Sequence, residues 1–157
     1  ELLALTGELP SKVEFEGKNY TPRQLSKRYG ADRRKDIHMM YPASKWTEEH
    51  VTYFAEQLDS IINSMTGSYS LAPADWETTV EQIQKNVDNG ISTILGTSWG
   101  RGGGHMMNVI GYEMTEKGEI THFKLLNSWG DTWGDQGAAW FAAKDLSKKY
   151  DQIWWFE

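Results

Sequence analysis

The sequence predicts an α+β protein in which helices come first and an antiparallel set of strands follows. Three observations carry that prediction. From Thr47 to Met65, apolar residues recur at the spacing of one helix face. From Ile91 onward, short apolar runs are separated by glycine-containing turns, which is a strand pattern. Two of those later stretches, Gly102 to Tyr112 and Asn127 to Gly137, gather glycines and tryptophans around one His and one Asn.

The bulk numbers set the frame. With 157 residues, the chain can form one domain, or two small lobes sharing a site, around a sizeable core. A net charge of −6 argues against nucleic acid as the main partner. No apolar run approaches the roughly 20 residues a membrane-spanning helix needs, and no signal peptide is legible, so no membrane partner is expected. The sequence leaves the compartment open. It contains no Cys, which excludes disulfides and any thiol nucleophile from these residues.

Taken in order, Glu1 to Leu9 reads as the end of a helix, with Gly7 suited to a C-terminal cap. Residues 12 to 20 alternate and turn at Gly17 like a small hairpin. Thr21-Pro22-Arg23-Gln24 reads as an N-cap, a first-turn proline and a capping-box Gln, opening a short helix closed by Gly30. The basic cluster Arg28, Arg33, Arg34 and Lys35 reads as a solvated loop, and Tyr41-Pro42 as a linker. In the helix from Thr47 to Met65, residues Val51, Phe54, Ala55, Leu58, Ile61, Ile62 and Met65 form the apolar stripe. His50 falls off that stripe and reads as a surface residue, and Ser44 as a capping or solvated one. A second helix runs from Asp75 to Asn89, with Trp76, Val80, Ile83 and Val87 inward and Gly90 as its stop.

The strands are expected at Ile91–Gly96, His105–Met114, Glu119–Leu126, Ala138–Ala142 and Gln152–Phe156, with a polar helical turn from Lys144 to Tyr150. Ser98 to Gly104, which includes Trp99 and Arg101, is a glycine-rich connection between two of them. It lacks the Gly-Lys-Ser/Thr of a phosphate-binding loop and joins strand to strand.

His105 opens one strand, and Asn127 follows the apolar run Phe123-Lys124-Leu125-Leu126 at the end of the next. An imidazole and a carboxamide so placed can meet side by side. The carboxamide oxygen can then accept one ring N–H and aim the other nitrogen at a nucleophile. Both stretches resemble the papain-like cysteine peptidases: His105 through Gly111-Tyr112, and Asn127-Ser128-Trp129-Gly130 followed by Trp133-Gly134 and Gly137. The likeness spans residues 87 to 141 and rests on two separately spaced motifs.

The resemblance implies a papain-like fold, with residues 1–70 as the remnant of a helical lobe and 71–157 as a barrel-like antiparallel β lobe, together one catalytic-domain fragment. It implies His105 as general base, Asn127 as its orienting partner and Trp129 as the indole shielding their hydrogen bond. Leu95, Gly103, Gly104 and Met106 fall where the family forms its principal side-chain pocket, implying an apolar subsite. The nucleophilic Cys would have to come from a companion segment or chain, placed by the resemblance upstream of residue 1, and the isolated chain is expected to be catalytically silent. The implied partner is a protein or peptide substrate. Two other outcomes stay open: a pseudo-peptidase that uses the cleft for binding, and deamidation or acyl transfer on a protein glutamine. Ala138 and Ala139 depart from the family's usual aromatic after Gly137.

Other chemistries have less behind them. His38, His50, His105 and His122 show no metal-ligand spacing, and Asp131 and Asp135 lack the ligand density of a calcium loop, so no metal and no cofactor are expected.

Overall fold

The computed structural model describes residues 13–15, 17–20, 36–62, 67–98 and 103–157. The helix end at Glu1–Leu9, the helix opened by Thr21 and closed by Gly30, and the basic cluster of Arg28, Arg33, Arg34 and Lys35 lie outside the described residues. So do Met65 and the Trp99–Gly102 part of the glycine-rich connection.

The expected hairpin is present. β1 (Val13–Phe15) and β2 (Lys18–Tyr20) pair antiparallel, with Phe15 opposite Lys18 and Gly17 turning the chain at φ 73°.

Tyr41, read as part of a linker, instead ends a strand that the sequence reading did not expect. β3 (Ile37–Tyr41) alternates buried and half-buried residues, with Ile37, Met39 and Tyr41 buried. It pairs in parallel with β4 (Tyr69–Pro73), also missed by the sequence reading, at the register His38 to Ser70. Parallel neighbours need a crossover, and α1 (Glu48–Ile62) supplies it. Thr47 caps α1: its hydroxyl accepts from the His50 backbone N–H at 3.3 Å, while the Thr47 N–H donates to His50 Nδ1 at 3.2 Å. This is a capping box in which His50 takes the place usually held by Glu or Gln.

α2 (Trp76–Asp88) follows β4. Its N-cap Asp75 accepts from the Thr78 N–H at 2.7 Å, and this backbone bond holds the Asp75 carboxyl below its ordinary value. Next come β5 (Thr93–Ser98), β6 (Gly104–Met114), β7 (Ile120–Leu126), β8 (Ala138–Ala142), α3 (Ala143–Lys149) and β9 (Tyr150–Phe156). The strands form one sheet in the order β4-β3-β9-β5-β6-β7-β8. All its neighbours are antiparallel except β3 and β4. The α+β class is therefore as the sequence predicts, with one parallel pair added, and residues 37–41 and 69–73 share the sheet built by the strands of 91–157.

Helices cover the sheet on both sides. Ile83 of α2 and Leu146 of α3 pack with Leu95, Met107, Val109, Phe123, Leu125 and Ile153 in the main core. Each such aliphatic or aromatic side chain contributes roughly 1.5–3 kcal/mol on burial. α1 lies on the other side, where its Phe54 meets the Trp154 ring at 5.9 Å and the Trp46 ring at 4.9 Å. No helix among the described residues is long and apolar enough to cross a membrane.

Candidate active site

The strand directions bring several loops to one end of the sheet. β3, β4, β5 and β7 finish there while β6, β8 and β9 begin there, which gathers Pro42, Pro73, Ser98, Gly104, Asn127, Ala138 and Tyr150. His105 is the second residue of β6. The register Asn108 to Leu126, carried three residues further, sets His105 beside residues 127–129.

His105 and Asn127 meet there. His105 Nε2 lies 2.9 Å from Asn127 Oδ1, within hydrogen-bond range. A carboxamide oxygen only accepts, so Nε2 carries the hydrogen, and in the neutral ring Nδ1 is then the nitrogen with the lone pair. No described residue bonds Nδ1. Asn127 is buried, and the Trp129 indole lies over the imidazole with ring centroids 4.8 Å apart and planes 30° from parallel. Trp129 itself is 63% exposed. Behind it Trp129 meets Trp133 edge-on at 6.0 Å, and Trp133 stacks on Phe141 at 6.3 Å, which ties the loop to β8.

The loop from Asn127 to Gly137 is shaped by backbone as much as by side chains. The Asn127 N–H donates to Gly137 O at 2.8 Å, anchoring the carboxamide's own residue. Gly134 has φ 60°, and a Cβ there would come within 2.3 Å of Ala138 O, so the Asp135–Ala138 bridge closes only over glycine. His105 is anchored from the other side. Thr97, paired with it across β5 and β6, donates its hydroxyl to His105 O at 3.2 Å. Thr97 is in turn paired with Tyr150, whose hydroxyl accepts from Thr79 Oγ1 at 3.1 Å. Burial pushes the Tyr150 phenol up to about 12. Sequence reading passed over Thr97, since cross-strand register leaves no mark on a single strand's pattern.

The expected pocket residues do not form one surface. Gly96 is opposite Met106 and Leu95 is opposite Met107, so Leu95 and Met106 point to opposite faces of the sheet. Leu95 is fully buried in the main core and lines no subsite, which corrects its assignment. Met106 is 50% exposed beside His105. Gly103 and Gly104 are exposed, and a side chain at Gly103 would meet nothing within 4 Å. Ser44 lines a cavity with Lys45, Pro73, Asp75, Trp76 and Tyr150, and His105 does not line it. Among the described residues, no group of His, Asp and Glu is arranged to hold a metal ion.

Residues 20–150, which include both stretches that meet at this corner, match a family model, that of the papain family cysteine proteases. The chain belongs to that family. Among solved structures, this papain-family chain is similar to PepW from Lactobacillus rhamnosis, at 13% identity and a TM-score of 0.54. The likeness covers 92% of this chain and 42% of that one, so the chain spans less than half the length of the structure it matches. At that identity the likeness is one of fold. No curated protein matches the sequence.

Proposed function

We propose that this chain carries the base half of a papain-type peptidase site, and that a cysteine-bearing polypeptide outside these 157 residues supplies the nucleophile. The observation that carries the reading is the His105 Nε2 to Asn127 Oδ1 bond at 2.9 Å, with Nδ1 unengaged by any described residue, in a papain-family chain without Cys. In this reading Nδ1 takes the thiol proton, giving a thiolate and an imidazolium. The thiolate adds to the substrate carbonyl carbon, and the C–N bond breaks as Nδ1–H passes its proton to the leaving amine. Water, deprotonated by the same nitrogen, then cleaves the thioester and returns the thiol. Asn127 keeps the ring turned to the thiol throughout, and Trp129 limits competition from water on its side. Met106, Gly103 and Gly104 border the substrate.

The test is assembly. The isolated chain is expected to leave a broad peptide substrate uncut. Adding the cysteine-bearing segment should produce turnover that thiol alkylation and His105→Ala each abolish. Binding of peptides with no cleavage after assembly would favour the pseudo-peptidase reading, which the absence of Cys supports. A one-dalton change on a glutamine in place of a cut would favour deamidation. Turnover by the isolated chain, lost in His105→Ala but indifferent to alkylation, would mean that the nucleophile lies within these residues.

A further inference from the structure

A cavity of about 440 Å³ opens at the carboxyl ends of the two parallel strands. Its position follows from the path of the chain. β3 runs through residues 42–45 toward α1 on one side of the sheet, while β4 runs through residues 73–75 into α2 on the other. Connections that leave adjacent parallel strands toward opposite faces part from each other, and the crevice between them is a recurrent ligand site. Its volume lies within the range of about 300–1,000 Å³ usual for small-molecule pockets. Trp76 and Tyr150, whose rings meet at 5.4 Å, line it together with Pro42 and Pro73. Tyr150 pairs with Thr97, which pairs with His105, so the cavity wall stands two strands from the base.

The polar groups around this space define its occupant. Lys45 Nζ donates to Tyr150 O and to Lys148 O, the latter at 3.4 Å, which leaves one of its three hydrogens over. The Ser147 hydroxyl is taken up by Lys144 O at 2.9 Å. Among the described residues, nothing accepts from the Ser44 hydroxyl or the Trp76 indole N–H. Three unused donors therefore border a largely apolar space. Asp75 borders it too, and the Thr78 N–H keeps its carboxyl ionised. A ligand of either charge would meet a like charge, at Lys45 or at Asp75. We infer that the cavity binds a small neutral aromatic molecule carrying a carbonyl, its ring against Trp76 and the prolines and its oxygen accepting from Ser44 and Lys45. The site is separate from the catalytic corner, since His105 does not line it, and it stands whether or not the chain serves a peptidase.

The 157-residue chain itself is titrated with indole-3-acetamide and followed by NMR at the Trp76 indole N–H, assigned by its loss in Trp76→Phe. That signal should shift saturably with a Kd of about 1 mM, an ordinary affinity for a ligand of this size. Indole-3-acetate and tryptamine, which add a charge, and 3-methylindole, which lacks the carbonyl, should each bind about fivefold more weakly. Ala43→Phe and Ala74→Phe each place a ring in the cavity and should abolish the shift. Should a filled variant fail to fold, Ser44→Ala, at an exposed residue, decides instead. It should weaken the amide about threefold and leave 3-methylindole unchanged. No saturable shift at millimolar amide overturns the inference, and so does equal binding of either charged analogue. A shift that persists in both filled variants, or amide binding indifferent to Ser44→Ala, does the same. A larger shift at the Trp129 indole than at Trp76 would put the ligand on the catalytic corner and overturn it too.

Discussion

His38 and His105 stand on strands of the same sheet, and each is held by one short side-chain contact and one indole. His38 Nδ1 lies 2.8 Å from Ser70 Oγ, its Nε2 lies 3.6 Å from a Glu157 carboxylate oxygen, and its ring stacks on Trp155 at 5.1 Å. His105 has its own neighbour in Asn127 and its own indole in Trp129. As a roster of residue types, serine, histidine and glutamate make the more suggestive set. The geometry favours the other. His38 Nδ1 is engaged by Ser70, and Nε2 has no hydrogen-bond partner and is closed to solvent, so the ring ties β3 to β4 and, through its stack on Trp155, to β9. At His105 one nitrogen is fixed and the other is left over on a half-buried ring. A base needs a free nitrogen within reach of a substrate more than it needs many partners.

The largest expected difference between the two is catalytic. In the assembled enzyme, His105→Ala should lower kcat/KM by about 10²–10⁴, the usual contribution of a positioned general base. His38→Ala should leave it within about twofold, because its role is to join strands. Equal losses in the two variants, measured at matched folded fraction, would erase the distinction drawn here.

The corners also differ in what lies behind them. Behind His105 runs the row of Thr97 and Tyr150, both buried, whereas His38 borders the edge strand β4, where Ser70 is exposed. Tyr150 should therefore respond to alkali. Its folded pKa is raised to about 12 from the ordinary 10.0, so its stabilising contribution is complete below pH about 10 and is lost as pH rises through about 12. Urea unfolding between pH 9 and 12 should show stability falling across that window, and Tyr150→Phe should flatten the fall. The same slope in Tyr150→Phe would assign the alkaline transition to another group.

How much of this was legible in the sequence follows the same division. The strands from Ile91 onward announced themselves through length, apolar runs and glycine turns, and His105 and Asn127 through their neighbours in two spaced motifs. β3 and β4 did not. Each has five residues, His and Met interrupt the usual β-formers in one, and their parallel pairing links segments 32 residues apart through α1. Leu95 failed for a sharper reason. A strand's faces alternate residue by residue, so a shift of one turns a pocket wall into core, and only the register of β5 on β6 separates the two.

A smaller effect probes Asn127. Asn127→Ala leaves the base in place but frees its tautomer and its rotation, a loss of about 1–1.5 kcal/mol for one hydrogen bond. That corresponds to a fall of about tenfold in kcat/KM, well short of His105→Ala. A loss as deep as that of His105→Ala would mean that the carboxamide does more than orient the ring.

The smallest expected effect belongs to the other corner. Ser70→Ala removes the hydroxyl that meets His38 Nδ1 at 2.8 Å, on an exposed strand where water can take its place. The cost should lie near the lower end of the 0.5–1.5 kcal/mol typical of one hydrogen bond. At this chain length that lowers Tm by only about 1–4 °C. His38→Ala should cost more, since it also removes the ring stacked on Trp155. The double variant should then be no less stable than His38→Ala by itself, because the serine's partner is already gone. Additive losses would separate Ser70 from His38 energetically. A loss of peptidase activity in Ser70→Ala, with stability intact, would go further and give the His38 corner a chemical role.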